Sequence, residues 1–471
     1  MLGASLNKAF YHPNPSLQSP WNCAQLGLFV FPLSPFLGAV GLGFAVLFTW
    51  LQQSQTINRR PLNWGLALLS VFLLITAGFA ENKIDALLGL FNFLPFFLVF
   101  IGLSALIQTP AQLRQMAWIL VISSSPIVIM GFGQLFWGWS LNLQFLWIVL
   151  EWTIAPTGEP PGRMASILMH ANSLAAYLAF IFILALGLWL EQWQSGIGYQ
   201  LLDIRYWISA ISKRQGKIFS HNSPPSSLSP IPFIFLTVAV VANFVALILT
   251  NSRNGWAIAI FACLAFTLYQ GWRLLVGCVA AMVTGVLLAA FAPNAIAQFF
   301  RQFVPYSIWA RLNDDMYPDR PVALMRKTQW EFAWSLSQQH PLTGWGLRSF
   351  SGLYKAHTQI NIGHPHNLFL MLSAETGFPS ALLYSGFIGC ILIAAVQLLW
   401  KSQDIEPKDR LIFFSYLLVL IGWMLFNTVD VTLFDFRLNL FSWWLLAAVC
   451  GVSLKLSKIG GSLSKIYSLD G

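Results

Sequence analysis

The residues most able to do chemistry in this sequence are ionisable side chains at the ends of long apolar runs. An ionisable residue in a membrane-spanning region is costly, so its presence favours a functional role. The candidates come from distant parts of the chain. They are Arg163, Arg253, Arg326, Arg437, His364, His366, Glu375, Asp430 and Asp435. If the apolar runs form a bundle, these residues can converge on one outward-facing cavity, and the arginines favour an anion as its ligand.

Three of the arginines are candidates for holding that anion. Arg253 lies in TNSRNG, which leaves only a few residues between two apolar runs and keeps its guanidinium near the headgroup level. Arg163 precedes another apolar run, with Asn172 about two turns later, and Arg326 lies four residues before Trp330. The alternatives are that such arginines snorkel to lipid phosphate, cap a helix C-terminus or stay solvated.

A histidine pair supplies the candidate acid–base group. The segment GHPHNLFLMLSAETG places His366 and Asn367 where the chain re-enters the membrane, ahead of Glu375. A histidine at this position can take up a proton near neutral pH. His364 competes for the role, and the alternative for His366 is a helix-start histidine that hydrogen-bonds to the backbone.

The sequence predicts neither a metal nor a cofactor site. Three aspartates lie close together, at Asp314, Asp315 and Asp319, but no His or Cys accompanies them. They interleave with Arg311 and Arg320, so local ion pairs are the preferred interpretation. The sequence also contains no glycine-rich phosphate loop after a strand and no CxxC pair.

The composition defines the setting of these residues. Of 471 residues, 57% are apolar and 9% are charged. A soluble domain carries about 25% charged residues, so a soluble globular protein is excluded. The five cysteines lie almost all in apolar runs and indicate small membrane or core side chains. We therefore predict an all-α polytopic integral membrane protein.

At about 20 apolar residues per span, the chain contains about eleven transmembrane helices, with ten to twelve as the range. The first run contains Pro32 and Pro35, so it is expected to be kinked or split into a re-entrant piece plus a span. The spans are predicted near 27–51, 63–80, 86–107, 116–138, 171–190, 231–250, 255–272, 274–293, 378–400, 411–427 and 439–456.

The distribution of Lys and Arg in short loops predicts the orientation. If eleven spans alternate and the long loop at about 294–365 is set aside, one side receives fourteen cations and the other five, so the first side and the C-terminus are predicted to be cytoplasmic. The fourteen are Arg59, Arg60, Arg114, Arg205, Lys213, Arg214, Lys217, Arg273, Lys401, Lys408, Arg410, Lys455, Lys458 and Lys465, and the five are Lys8, Lys83, Arg163, Arg253 and Arg437.

Three regions follow from this topology. Residues 1–293 form N-terminal transmembrane helices with a cytoplasmic connector at about 191–230, residues 294–365 form a long outer loop, and residues 366–471 form C-terminal transmembrane helices. Within the loop, RKTQWEFAWSLSQQ has Trp330 and Trp334 at helical spacing and stops at His340 and Pro341. This pattern predicts one amphipathic helix on the membrane surface.

The sequence resembles the O-antigen ligase and O-antigen polymerase superfamily of bacterial membrane glycosyltransferases over roughly 160–440, with the ligase-related domain at about 235–440. The motifs that carry the resemblance are HNLFLMLSAETG, Arg326-x-x-x-Trp330 followed by HPLTGWGLRSF, TNSRNGW and RMASILMHANSLAAYL. The sequence departs from the family pattern at Ser380 and at His170-Ala171-Asn172. It looks closest to the cyanobacterial-type branch, some members of which are labelled bicarbonate transporters.

The resemblance implies a GT-C-like fold and transfer of a glycan from an undecaprenyl-diphosphate carrier to an acceptor on the periplasmic face of the bacterial inner membrane. It implies no metal and no cofactor. The acceptor stays open between lipid A core, a growing polysaccharide and a protein side chain. By this resemblance the catalytic base, giving inversion, is His366, and the substrate-binding residues are Arg163, Arg253, Arg326, Asn367 and Asn172.

Two other functions remain as alternatives. A transporter of bicarbonate or another small anion would place its charges near the bilayer midplane on broken helices, often with symmetry between halves. The sequence shows no convincing repeat and places most of its candidate charges at the outer edge. A purely structural membrane subunit would leave His366 and the three arginines without a role.

Overall fold

The computed structural model describes residues 10–146, 150–195, 231–313, 315–316, 318–401 and 405–459. Most of the predicted connector, with Arg205, Lys213, Arg214 and Lys217, lies outside them, as do Lys8, Asp314 and Lys465. The helices are α1 (Gln18–Val30), α2 (Pro35–Asn58), α3 (Pro61–Phe79), α4 (Lys83–Leu90), α5 (Leu94–Leu106), α6 (Pro110–Phe136), α7 (Ala171–Gln194), α8 (Ile231–Leu249), α9 (Arg253–Tyr269), α10 (Arg273–Phe291), α11 (Asn294–Arg301), α12 (Tyr306–Leu312), α13 (Arg326–Gln339), α14 (Ser349–Thr358), α15 (Leu368–Lys401), α16 (Pro407–Asn427) and α17 (Phe436–Ile459).

The all-α membrane architecture predicted from composition is confirmed. Among the described residues, ten helical stretches are long and apolar enough to cross a bilayer, namely α2, α3, α4 with α5, α6, α7, α8, α10, α15, α16 and α17. The helix α9 is also apolar but shorter, with 17 residues. Together these stretches correspond to the eleven predicted spans.

The first predicted span is split into two helices. The helix α1 ends at Val30, and α2 begins at Pro35, whose missing N–H and fixed φ suit the first turn of a helix. Ser34 caps α2 by accepting a hydrogen bond from the Leu37 N–H at 3.3 Å. Gly27 of α1 lies against the backbone of α2, so a larger residue there would force the two helices apart.

A short antiparallel hairpin connects α6 to α7. It pairs β1 (Leu141–Phe145) with β2 (Leu150–Ile154). The Trp152 indole donates to the Leu33 carbonyl at 2.7 Å, so the hairpin is attached to the turn between α1 and α2. The loop after β2 carries Arg163 towards the start of α7.

The helices α7 and α17 form the centre of the bundle, since both are buried along most of their length. Within α7, the stretch from Asn172 to Glu191 is about 28 Å long at 1.5 Å per residue, which matches the apolar thickness of a bilayer. At the Glu191 end, Arg114 pairs with Glu191 and with Asp409, each at 2.7 Å. We call this end of the bundle the ion-triad end, and the Asn172 end the cavity end.

The segment between α10 and α15 folds into helices α11 to α14. A helix is present where the tryptophan spacing predicts one: it is α13, which ends at Gln339, just before His340 and Pro341. Its buried face includes Ala333 and Leu336, which pack with Phe350 and Tyr354 of α14. Burial of this apolar face stabilises the segment against the membrane helices.

A break in α15 joins this segment to the bundle. Gly377 has φ 76° and ψ 166°, a conformation that only glycine adopts readily. The loop after α13 binds at the break, because the Gly346 N–H donates to the Glu375 carbonyl at 2.8 Å and the Phe378 N–H donates to the Pro341 carbonyl at 2.8 Å. The break therefore fixes α13, and with it Arg326, relative to the start of α15.

Candidate functional site

A cavity of about 530 Å³ lies at the cavity end of the bundle. Its size is in the range of small-molecule sites. Its described lining contains five arginines, one lysine and one histidine, and no described lining residue is an aspartate or a glutamate. The lining residues are Arg163, Asn172, Asn251, Ser252, Arg253, Asn254, Arg311, Arg320, Leu324, Met325, Arg326, Lys327 and His366. Such a lining favours an anionic ligand.

Arg163 is held in the loop that precedes α7. The buried side chain of Gln134 fixes this loop by accepting from the N–H groups of Ala165 and Ser166 at 3.0 and 2.8 Å. The guanidinium of Arg163 donates to the Thr250 carbonyl at 2.8 Å and to Asn172 Oδ1 at 2.7 Å. Because Thr250 follows the last residue of α8, Arg163 also caps that helix, as the alternative interpretation had it.

Arg253 occupies the first position of α9. Ser252 is the N-cap of this helix, and its hydroxyl accepts from the Gly255 N–H. The Arg253 guanidinium donates to the Arg311 carbonyl in the last turn of α12. Arg253 therefore lines the cavity and, in addition, caps a helix C-terminus, so the two interpretations of its position are compatible.

Three helices begin at the cavity. The first turn of α7 contributes Asn172, that of α9 contributes Arg253 and Asn254, and that of α13 contributes Arg326 and Lys327. The N-terminus of a helix carries roughly half a positive elementary charge, together with backbone N–H groups that point outward. The fold thus adds three positive helix ends to the basic side chains, a combination that suits phosphate groups.

His366 lies at the edge of the cavity and is paired with a carboxylate. Its Nδ1 lies 3.1 Å from Asp430 Oδ1. With Asp430 ionised, this contact is a hydrogen bond from Nδ1–H, which leaves Nε2 as the basic nitrogen. The predicted alternative, a side chain bonded to the backbone, does not describe His366, although it does describe His170, whose Nδ1 accepts from the Asn172 N–H at 3.2 Å.

The pKa shifts around this pair favour an ionised Asp430 and a neutral His364. Burial opposes ionisation of Asp430, but the hydrogen bond from His366 and the two neighbouring histidines hold the pKa of its carboxyl below the usual range. Burial and the charges of His366 and Arg326 lower the pKa of His364 to about 4. His364 is therefore neutral at pH 7, and its Nδ1 accepts from the His366 N–H at 3.2 Å.

A chain of hydrogen bonds joins the arginine side of the cavity to the histidine. Arg163 binds Asn172 Oδ1, Asn172 Nδ2 donates to Asp430 Oδ2 at 3.2 Å, and Asp430 Oδ1 bonds His366. These four residues come from three separate parts of the chain. The structure therefore brings together the predicted residues Arg163, Asn172, Arg253, Arg326 and His366 around one cavity.

Asn367 has a different place. Its Oδ1 accepts from the Leu370 N–H at 3.0 Å, and its Nδ2 donates to the Thr428 carbonyl at 3.0 Å. It thus caps the start of α15 and ties it to the end of α16, and it is not among the described lining residues of the cavity. Arg437 and Glu375 also hold structure, through the Ile167 carbonyl and the Phe350 N–H.

Several residues that lie at the site were not predicted from the sequence. Asp430 appeared only as a charge at a span end, because nothing local links it to His366, 64 positions earlier. Arg311 and Arg320 were assigned to local ion pairs, yet both line the cavity, as does Lys327. The outer loop contains more cations than carboxylates, and this excess could have indicated that some of its cations bind a ligand.

One group of side chains near the cavity could hold a metal ion. The donor atoms of His364, His366 and Asp430 lie within 4.8 Å of one another. Two imidazoles and a carboxylate suit several divalent metals. No metal site was predicted from the sequence, in which Asp430 lies far from the two histidines.

Part of this chain matches a known protein family. Residues 238–385 match the family described as O-antigen ligase. The match includes Arg253, Arg326 and His366, starts near the predicted 235 and ends well before 440. A comparison with curated proteins finds no match. The match confirms the resemblance seen in the sequence and supports a membrane glycosyltransferase of the O-antigen ligase or polymerase type.

Proposed function

We propose that this chain, whose residues 238–385 match the O-antigen ligase family, transfers a glycan from an undecaprenyl-diphosphate-linked donor to an acceptor in the cavity. The observation that carries the proposal is the convergence of Arg163, Arg253, Arg326 and three helix N-termini on one side of a cavity that has His366 at its edge. An anion-holding group and a proton acceptor are the two parts that such a transfer requires.

The arginines act on the diphosphate. Negative charge develops on this leaving group as the bond between its oxygen and the anomeric carbon breaks. Guanidinium groups that are already positioned stabilise that charge without rearranging, and they can bind phosphate oxygens in pairs. Arg163 is positioned by Thr250 and Asn172, and Arg253 by the Arg311 carbonyl.

His366 acts on the acceptor. The acceptor oxygen attacks the anomeric carbon from the face opposite the diphosphate, which inverts the configuration, and its proton moves to His366 Nε2. Asp430 holds the ring by its Nδ1–H and stabilises the imidazolium that forms. The products are the extended or attached glycan and undecaprenyl diphosphate. Asp430 is thus a positioning residue.

The membrane orientation follows from the positions of the cations. The ion-triad end carries Arg59, Arg60, Arg273, Lys401 and Lys455 around the helix ends, in addition to Arg114. The positive-inside rule counts cations in short loops, so the long segment at 294–365 is set aside; by this count the ion-triad end is cytoplasmic and the cavity faces the periplasm from the inner membrane. The acceptor is a glycan, a lipid or a protein that reaches this face.

Transfer in vesicles tests the proposal. Purified protein is mixed with undecaprenyl-diphosphate-linked oligosaccharide and an acceptor extract, with EDTA present. The wild type should release undecaprenyl diphosphate, whereas Arg253→Ala and His366→Ala should not. His357→Ala is the matched control, because His357 lies on α14, stacks on Phe332 and does not line the cavity.

Two results would contradict parts of this account. If the wild type consumes no donor with any acceptor fraction, the proposed glycan transfer is wrong. If EDTA abolishes transfer and added metal restores it, His364, His366 and Asp430 act as metal ligands rather than as a base and its support.

A further inference from the structure

A second basic cavity lies at the ion-triad end of the bundle, far from the cavity just described. Its volume is about 600 Å³. It is bordered by the end of α2, the start of α3, the link between α5 and α6, and the last turns of α17. Its cations are Arg59, Arg60 and Lys455, and none of its described lining residues is acidic. The glycan transfer gives this cavity no role.

Arg60 is the most buried of the three cations of this cavity. Its guanidinium is half-buried and donates to the Ser104 hydroxyl at 3.2 Å. Burial lowers the pKa of Arg60, which means that its surroundings penalise the charge. A bound anion would offset this penalty. Neutral polar groups of Asn14, Thr56 and Gln108 line the same space, and they can bind phosphate oxygens or hydroxyl groups.

Two exposed tryptophans place the cavity at the depth of lipid headgroups. Trp64, at the start of α3, is 68% exposed, and Trp400, at the end of α15, is 83% exposed. Tryptophan is enriched at the membrane–water interface. Because α3 borders the cavity, the cations of the cavity lie at the level of the interface.

We propose that this cavity binds an acidic phospholipid, with its phosphate held by Arg60, Arg59 and Lys455. Basic pockets between transmembrane helices on the cytoplasmic side bind acidic headgroups in this way. The site is formed by helices from both ends of the chain, so the bound lipid joins α2 and α3 to α17.

Native mass spectrometry of the purified full-length chain in a neutral detergent tests this proposal. Phosphatidylglycerol and phosphatidylcholine are titrated separately, and the wild type should retain phosphatidylglycerol more tightly. Each cation near a membrane surface contributes about fivefold to the affinity. The double variant Arg59→Gln with Lys455→Gln should therefore weaken phosphatidylglycerol binding by roughly 25-fold.

The variants are chosen so that a loss of lipid binding does not result from a loss of folded protein. Arg59 and Lys455 are exposed, so their loss leaves the packing intact, whereas Arg60→Gln also removes the bond to Ser104. Arg273→Gln is the control, because Arg273 is exposed at the same end of the bundle and does not line the cavity. Three results would overturn the proposal: equal binding of the two lipids, an equal loss in Arg273→Gln, or glycerol phosphate binding as tightly as the lipid.

Discussion

At one end of α7, Arg114 is held by the carboxylates of Glu191 and Asp409, whereas at the other end Arg163, Arg253 and Arg326 border an open cavity. The first group combines one cation with two anions, each at 2.7 Å from the guanidinium. The second group has five arginines and a lysine among its described lining residues and no carboxylate.

The contrast teaches how charge is used in this bundle. The Arg114 group joins α6, α7 and α16, and its one cation is paired with two carboxylates, so its role is to hold helices together. Around the cavity, the Arg163 guanidinium bonds to Thr250 and Asn172 oxygens, which are neutral acceptors. Those bonds fix the orientation of the Arg163 side chain. The positive charge of the cavity as a whole favours binding of an anion.

The largest expected effect is on catalysis through His366. Replacement by Ala removes the proton acceptor, and a positioned acid–base group contributes about 100- to 10,000-fold to the rate. His366→Ala should lose this factor in the vesicle transfer assay and keep its elution profile and unfolding temperature. Full activity in this variant would remove His366 from the mechanism. The cavity would then no longer differ from the Arg114 group by having a catalytic role.

The next effect concerns the anion side of the cavity. Arg253→Gln should lower the rate of transfer by about 100- to 1,000-fold, as loss of one preorganised charge-stabilising group does. Arg253→Lys should recover part of the loss, since Lys keeps the charge but not the paired hydrogen bonds. A Gln variant as active as the wild type would show that Arg253 only caps α12.

A substitution at the ion-triad end should lower stability and leave glycan transfer unchanged. Arg114→Gln leaves Glu191 and Asp409 close together without their cation and should lower the free energy of unfolding by about 3 kcal/mol. This is the low end for buried pairs, because the three side chains keep 13 to 26% of their exposure. Transfer per folded molecule should be unchanged. A loss of activity without a loss of stability would contradict the division of roles.

A smaller effect concerns stability against pH at the cavity. The pKa of His364 is lowered from 6.5 to about 4, so the folded protein keeps it neutral where the unfolded chain is protonated. The free energy of unfolding should therefore fall as the pH drops from about 6.5 to about 4, by at most about 3 kcal/mol. In His364→Asn the pH dependence of the unfolding temperature should flatten. An unchanged curve would show that His364 is not the titrating group.

The membrane helices could be predicted from the sequence because hydrophobic length is a local property. Each of the eleven runs corresponds to an apolar helix, and the split at Pro35 follows from the fixed φ and missing N–H of proline. The helix α13 was also accessible, since the spacing of Trp330 and Trp334 is local. The break at Gly377 was not, because it depends on the loop at 341–346 that binds there.

The candidate site could be predicted only in part, for the same physical reason. Arg253 and His366 stand out because a charge next to an apolar run is unusual. Asp430 and Asn172 bond to each other across 258 positions, and Arg114 meets Asp409 across 295. Such contacts depend on helix packing, so a single sequence does not show which cations are paired with carboxylates and which line a cavity.

Binding of undecaprenyl diphosphate to purified protein tests the central claim most directly, because it needs no acceptor and no turnover. Arg326→Gln is compared with Arg273→Gln, which removes the same charge from an exposed position at the ion-triad end. A hydrogen bond to a charged group is worth about 1.5 to 3 kcal/mol, or about 10- to 150-fold in affinity. We expect a loss of this size for Arg326→Gln and none for Arg273→Gln. Equal affinity in the two variants would contradict the claim that this cavity holds the diphosphate.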